Sequence, residues 1–300
     1  MRLILGTEQL GGVDWGKYSL KECQKAFSYA IDLGLNKIDT ANIYGLGVAE
    51  KSISKILGKK IQNVQIISKI GLSKFKVKNR KRAKIKIDLS KKALEKNIKS
   101  SLKNLNVDYL NTCLIHWPDH NIDYLETIEL MKNFKKIGYI KNFGFSNYET
   151  IINKSHINQL KHFQLKFNLL TNKNYKFINE FSKKIDVSIY GILAHGLLTG
   201  KYSSNNKFNI NDRRHRLKEF NKKFETKNKK KILFLRKCAD ELDLPLSTLC
   251  IAITYQLLPK ANLIIGFKNI NQIKQNIESF QIKVPKEIIS EYRKTFINLS

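Results

Sequence analysis

Lys37-Ile38-Asp39-Thr40-Ala41-Asn42-Ile43-Tyr44-Gly45 is a short apolar run that ends in a carboxylate and turns through small residues to a phenol five positions later. An amphipathic segment over residues 48–57 follows, closed by Gly58, and then a second apolar run at 64–70. Apolar run, helix-period segment and apolar run make one strand–helix–strand unit, the repeat from which parallel sheets are built.

The same unit recurs in both directions. Strands are expected at 3–6, 37–40, 64–70, 109–115, 139–145, 162–167, 187–193 and 262–266, separated by helix-period segments. Ser19-Leu20-Lys21-Glu22 is a capping-box pattern, and Gly34 is a natural stop for the helix it opens. Eight strands alternating with helices predict an α/β chain folded as a closed (β/α)8 TIM barrel rather than an open sheet. No composition break divides the 300 residues, so a single barrel domain over 1–300 is expected, ending in a helix at about 285–297. Residues 71–89 are basic and weakly periodic and read as a loop. A long polar loop is expected at about 199–226, a length more typical of a functional flap than of a connector.

Composition excludes several classes. The hydrophobic content of 42% supplies a large core, and no apolar run approaches the roughly 20 residues of a membrane span. The polar break after Gly6 argues against a signal peptide, and the chain reads as cytoplasmic. Cys23, Cys113, Cys238 and Cys250 are scattered with no C-x-x-C pair, which speaks against a disulfide framework or a metal site. The net charge of +30 invites a nucleic-acid reading, but the lysines are spread over almost every helix. The two dense clusters, 74–86 and 222–231, are not interleaved with aromatics, so nucleic acid is not the expected partner.

Chemistry concentrates at strand ends. In a barrel of this kind functional side chains sit at the C-terminal ends of the strands. Asp39, Lys69 and His116 each end a predicted strand, on the second, third and fourth strands, and Tyr44 lies in the loop after the second. Each alone could be an ordinary surface or buried polar residue; together on adjacent strands they point to catalysis. A phenol of pKa near ~10 is a reluctant acid, and a lysine ammonium beside it is expected to lower that value. Asp39 would hold Lys69 charged, and His116 would orient a carbonyl. The set suits protonation of an oxygen during carbonyl reduction, with the hydride supplied by a nicotinamide.

With these residues in place the chain resembles the aldo-keto reductases, from Leu5-Gly6-Thr7 through to Asn276. Residues 34–45 are similar to the family's first signature, with Asp39 and Tyr44 on its catalytic positions; Ile67-Ser68-Lys69 and Leu114-Ile115-His116-Trp117-Pro118-Asp119 match the lysine and histidine strands. The resemblance implies a (β/α)8 barrel, an Asp-Tyr-Lys-His tetrad and NADPH or NADH as cofactor. It implies that Gly6 and Thr7 lie beside the cofactor. It further implies that Ser146, Asn147 and Gln164 contact the nicotinamide carboxamide, and that Tyr190 stacks on its ring. Leu193, Gly196, Leu197 and Lys201 fall in the loop that wraps the pyrophosphate, and Gly266, Lys268, Gln272 and Asn276 in the adenosine-end motif.

Some positions depart from the family pattern. Ile192 replaces a proline, Lys166 stands where a carboxylate often follows the glutamine, and Gln272 and Gln275 replace an arginine and a glutamate. Lys268 and the excess positive charge favour NADPH, with NADH as the other option. Trp15 and Trp117 are expected to line the substrate pocket, joined by Tyr18 and Phe145. His195 and His215 read as loop residues. The arginines of Asp212-Arg213-Arg214-His215-Arg216 are available to close on cofactor or substrate. The leading expectation is an NAD(P)H-dependent carbonyl reductase acting on a sugar, nucleotide sugar or small aldehyde. The alternative is a non-catalytic nicotinamide-binding subunit that regulates a partner.

Overall fold

Barrel closure runs through β1 (Leu3–Gly6), β2 (Lys37–Asp39), β3 (Gln65–Ile70), β6 (Leu110–Ile115), β7 (Ile140–Ser146), β8 (His162–Lys166), β9 (Asp186–Tyr190) and β10 (Asn262–Gly266), and back to β1. All eight pairings are parallel. This is a computed structural model, and it describes residues 2–16, 18–75 and 84–297. The (β/α)8 expectation holds.

The helices are α1 (Leu20–Asp32), α2 (Val48–Leu57), α3 (Lys91–Leu105), α4 (Tyr124–Ile137), α5 (Tyr175–Phe181), α6 (Lys222–Glu241), α7 (Leu246–Leu257), α8 (Ile270–Ser279) and α9 (Lys286–Phe296). Their starts follow local chemistry. Ser19, Ser90, Asp123, Asn221 and Asn269 each accept a backbone N–H from the first turn of the helix they precede, which satisfies donors that would otherwise have no partner. The Asn221 cap is also why α6 begins at Lys222 and not at about 227 as its periodicity suggests. The polar loop is correspondingly shorter than expected and contains 3-10 turns at Arg213–Arg216 and Lys218–Phe220.

A second correction concerns residues 71–89. β4 (Leu72–Phe75) and β5 (Lys84–Ile87) form an antiparallel hairpin outside the barrel, pairing Leu72 with Ile87 and Lys74 with Ile85. The period-two pattern Lys84-Ile85-Lys86-Ile87 carried that signal under its charge. The basic cluster at 74–86 lies partly outside the described residues.

Two apolar compartments hold the barrel. The larger lies between the strands and the helices and includes the four cysteines, all buried and free. The smaller is a plug inside the barrel, made of Ile4, Ile67, Leu114 and Ile264 with Tyr190 packed against it. Because side chains alternate along a strand, the residue two places beyond each plug residue faces inward one layer higher. Those residues are Gly6, Lys69, His116 and Gly266. The plug is therefore the floor on which the strand-end residues stand.

One sector of the interior is polar. His162 Nε2 lies 2.7 Å from Ser188 Oγ, which accepts from Gln164 Nε2 at 3.3 Å. Since the amide nitrogen donates to Ser188, the hydroxyl is free to donate onward to a neutral His162. Burial pushes the His162 imidazole down to about 4. The sign of the stability effect follows. As pH falls below the ordinary histidine value the unfolded chain takes up a proton that the folded chain refuses. This contribution is complete above about pH 6.5 and is lost towards about pH 4, with a slope of up to about 1.4 kcal/mol per pH unit. Urea unfolding at about pH 7 and about pH 5 should show the loss, and His162→Gln should flatten the dependence; an unchanged slope in that variant would refute it.

Candidate active site

The carboxylate, the amine, the phenol and the imidazole meet at the C-terminal mouth of the barrel. Asp39 ends β2 in register with Gly6 of β1 and Ile67 of β3, two residues before Lys69 on the neighbouring strand. Lys69 is 1% exposed, and its ammonium donates to Asp39 Oδ1 at 2.6 Å, to the Thr40 carbonyl at 2.9 Å and to the Tyr44 hydroxyl at 3.3 Å. All three ammonium protons thus have acceptors, the condition for keeping a lysine charged away from water. His116 follows β6 directly, its N–H on the Ile70 carbonyl, and its ring stands edge-on to Tyr44 with centroids 6.0 Å apart.

Tyr44 is delivered by a backbone contact. Gly45 has φ 57°, and a Cβ there would collide with the Gly11 carbonyl; a Cβ on Gly11 would lie 2.7 Å from the Gly45 nitrogen. The turns after β1 and β2 therefore touch main chain to main chain, and the phenol follows from that contact. On the other side of β3, Ser68 turns outward and donates to Glu50 of α2 at 2.9 Å; Asn104 supplies the second oxygen of that buried carboxylate with a partner at 3.0 Å. Glu50 so anchors the strand that carries Lys69.

The electrostatics differ from the expectation in one respect. The Tyr44 phenol is held well above the ordinary tyrosine value, first by burial and then by the Asp39 and Glu8 carboxylates; Arg213 draws it back. Burial and the two carboxylates together outweigh the pull of the adjacent Lys69 ammonium. In the resting state Tyr44 is a fully protonated acid. His116 is held well below its ordinary value, by burial and then by the Lys69 and Arg213 charges, and is neutral. Its Nδ1 is buried without a partner.

A second cluster adjoins the tetrad. Gln164 Nε2 donates to Asp39 Oδ2 at 2.7 Å, and a carboxylate oxygen requires a donor, so the amide orientation is fixed with Oε1 on the other side. Tyr190 donates to Asn147 Oδ1 at 2.8 Å, while Asn147 Nδ2 donates to Ser146 Oγ at 3.0 Å and to the His116 carbonyl at 3.3 Å. Ser146, Asn147, Gln164 and Tyr190 are brought together here. Thr7 bonds the Asp39 carbonyl through its N–H at 3.1 Å and its hydroxyl at 2.8 Å.

The remaining predicted residues divide. β9 ends at Tyr190, so Leu193 lies in the following turn and not in the strand; Gly196 and Leu197 are in its 3-10 segment, and Lys201 is exposed just after it. Lys268 precedes α8, where its N–H donates to Gln272 Oε1 at 2.7 Å, and its ammonium binds the Trp15 carbonyl at 2.8 Å. Asn276 Nδ2 reaches the Gly266 carbonyl at 3.4 Å. Trp15 sits at the mouth, its ring 6.1 Å from that of His195. Trp117 is at the rim and 43% exposed. Tyr18 donates to the Gln9 carbonyl. Phe145 is not a pocket residue: it points outward from β7 into the core, stacked on Tyr148 at 4.3 Å.

At the mouth one arginine of the 212–216 segment, expected to close on cofactor or substrate, is joined by a carboxylate that the sequence does not single out. Glu8, two positions past the last residue of β1, forms an ion pair with Arg213 from the loop after β9. The rule that found Asp39 and Lys69, a polar residue at a strand end, also points at Glu8. Around this pair the loop is tied down: Arg213 N–H donates to the Asp14 carbonyl at 2.9 Å, Arg216 pairs with Asp14 at 3.2 Å, and Arg214 makes a forked contact with Asp212.

Comparison with known proteins identifies the family. The family model for the aldo/keto reductase family matches residues 2–295. The aldo-keto reductase YhdN of Bacillus subtilis is 30% identical over 225 residues, 74% of this chain and 67% of that protein. Among solved structures, the glycerol dehydrogenase of Gluconobacter oxydans superposes with a TM-score of 0.81 at 24% identity, covering 99% of this chain and 92% of its own. An aldo/keto reductase of Klebsiella pneumoniae in complex with NADP and acetate gives 0.68 at 19% identity, over 98% and 91%. The structural likenesses establish the same barrel, and the sequence match spans nearly all of the chain. This protein belongs to the aldo/keto reductase family.

Proposed function

We propose that the chain is an NADPH-dependent carbonyl reductase in which Tyr44 protonates the oxygen of an aldehyde or ketone while hydride reaches the carbonyl carbon. The observation that carries this reading is the Tyr44 hydroxyl 3.3 Å from a lysine ammonium that is itself fixed by a buried carboxylate. Members of this family are oxidoreductases acting on carbonyl and alcohol groups.

The residues present fit a nicotinamide dinucleotide. Gln164 Oε1, Ser146 Oγ and the Asn147 amide form a hydrogen-bonding set suited to a carboxamide, beside the Tyr190 ring. The turn after β9 runs through left-handed backbone at Ala194, His195 and Gly196, and a Cβ on Gly196 would crowd the Tyr202 ring at 3.1 Å. The Ala194, Gly196 and Leu198 N–H groups of this turn are bonded to the Gly191 and Leu193 carbonyls, so contact with phosphate oxygens falls to side chains. Lys201 and Lys268 are the cations for the phosphates. When bound, the cofactor supplies the hydride.

The chain's own residues do the rest. Neutral His116 orients the carbonyl through a ring N–H. Tyr44 gives its proton to the carbonyl oxygen, and the phenolate left behind is stabilised by the Lys69 ammonium. Asp39 keeps that ammonium charged and in place throughout. The alcohol leaves with one hydride and one proton more than the carbonyl brought. A small-molecule substrate and a cytoplasmic setting complete this reading; no described helix is long and apolar enough to cross a membrane.

Three outcomes are expected. With an aldehyde panel, loss of reduced-nicotinamide absorbance should fall by roughly 10²–10⁴-fold in kcat on Tyr44→Phe while NADPH binding persists; full turnover by that variant would remove Tyr44 as the acid. Cofactor binding with no turnover by the unaltered protein would favour the regulatory alternative. Because the acid must be protonated and its pKa is raised, the reduction rate should stay level through neutrality and decline only above about pH 10. A decline centred near neutrality would contradict the protonated resting phenol. Lys268→Met should raise the KM for NADPH about tenfold and leave that for NADH unchanged, since only NADPH carries a 2′-phosphate. Equal effects on both cofactors would take Lys268 off the phosphate.

A further inference from the structure

We infer that the Glu8–Arg213 pair determines substrate specificity, selecting carbonyl compounds that carry a hydroxyl group near the carbonyl. This rests on the carbonyl-reductase reading of the same site.

The position of the pair comes from covalent neighbours. Thr7 bonds the Asp39 carbonyl twice, and Glu8 is the next residue. The turn that Glu8 opens, Glu8–Gly11, touches the Tyr44 loop through the Gly11–Gly45 contact. Arg213 arrives from the loop after β9, two strands from β1 in the barrel, anchored by its own N–H on the Asp14 carbonyl, with its guanidinium 5.5 Å from the centre of the Trp15 ring. The Arg213 charge bears on Tyr44, His116 and Tyr190, and the Glu8 charge on Tyr44 and Tyr190. The pair thus spans the approach to the phenol and the imidazole.

Its accessibility sets it apart from its neighbours. The Asp39–Lys69 and Asp212–Arg214 pairs are closed to any ligand, with side chains 8% exposed or less, whereas Glu8 and Arg213 are each 29% exposed. They are shielded enough for hydrogen bonds to count and open enough for a small molecule to reach them. Both are held in place, Glu8 by a short rigid turn and Arg213 by Asp14 and the indole face, so little side-chain freedom is lost on binding.

The chemistry of the pair decides what it takes. A substrate carboxylate or phosphate seated on the remaining Arg213 N–H groups would lie against the Glu8 carboxylate and be repelled by it. A hydroxyl brings no such charge: its O–H donates to Glu8, its oxygen accepts from the guanidinium, and both charges stay balanced. A carbonyl compound without such a group finds only a satisfied ion pair and gains nothing from it. The site therefore discriminates by added bonds, and hydroxylated substrates should be preferred about tenfold or more.

The test uses the full-length protein with NADPH and two matched substrates, D-glyceraldehyde and propionaldehyde, with 4-oxobutanoate as an anionic third. Expected is a kcat/KM for glyceraldehyde at least about tenfold that for propionaldehyde. Glu8→Gln and Arg213→Met should each bring the ratio close to unity, mainly through a higher KM for glyceraldehyde, and Arg213→Lys should restore part of it. Thermal melts of each variant identify any that fail to fold; Arg213→Lys keeps the charge and retains the comparison in that case, a partly lowered ratio supporting the inference and an unchanged one opposing it. Propionaldehyde turnover with a ratio that no variant changes overturns this inference and leaves the carbonyl-reductase reading standing. A preference for 4-oxobutanoate that depends on Arg213 also overturns it, in favour of an anion seat. No turnover of any of the three overturns both.

Discussion

The buried Asp39–Lys69 pair is the constraint from which the rest of the site follows. A carboxylate and an ammonium taken out of water this completely are tolerated only when each is matched and the remaining donors and acceptors are filled. Here the ammonium has Asp39, Thr40 and Tyr44, and the carboxylate has Lys69 on one oxygen and Gln164 on the other. Removing either charge would strand the other at a cost of about 3–5 kcal/mol. The pair fixes the direction of Tyr44, the orientation of the Gln164 amide and, through it, which atom the second cluster presents.

That constraint also explains why the phenol is not activated in the resting protein. Burying the four groups together raises the cost of a phenolate by more than the neighbouring ammonium recovers. Lys69 offsets part of that cost as negative charge forms on Tyr44. Such an arrangement stabilises a developing charge more than it perturbs the ground state, which is what lowers a barrier. The sequence-level expectation of a lowered phenol pKa placed the lysine correctly but left out the desolvation that goes with burying all four groups together.

Much of the architecture was legible because strand ends and helix starts are local events. Asp39, Lys69 and His116 could be placed from the residues that terminate apolar runs, and Ser19 and Gly34 from cap chemistry. What was not legible depended on contacts distant in sequence or on signals overlaid by charge. Lys84-Ile85-Lys86-Ile87 alternates as a strand, yet its lysines made the segment read as loop. The start of α6 needed the Asn221 cap to be distinguished from an ordinary polar residue. Glu8 and Arg213 are 205 positions apart, and nothing in either neighbourhood announces the other. Phe145 was ambiguous for a simpler reason: on a barrel strand, a shift of one residue exchanges the pocket for the core.

The contact between Gly11 and Gly45 has a consequence for how such a site can change. Where two turns meet through main chain alone, no side chain sets their separation, so no exchange of side chains can retune it. The spacing between the Tyr44 phenol on one turn and the Glu8 carboxylate at the start of the other is fixed by backbone geometry, like the distance between two marks on one ruler. Variation in what this mouth accepts has to come from side chains beyond that contact, such as the Arg213 guanidinium, which is placed by Glu8 and the Trp15 ring while its backbone is tied to Asp14. The barrel thus separates a jaw that keeps the chemistry constant from a jaw that is free to diversify.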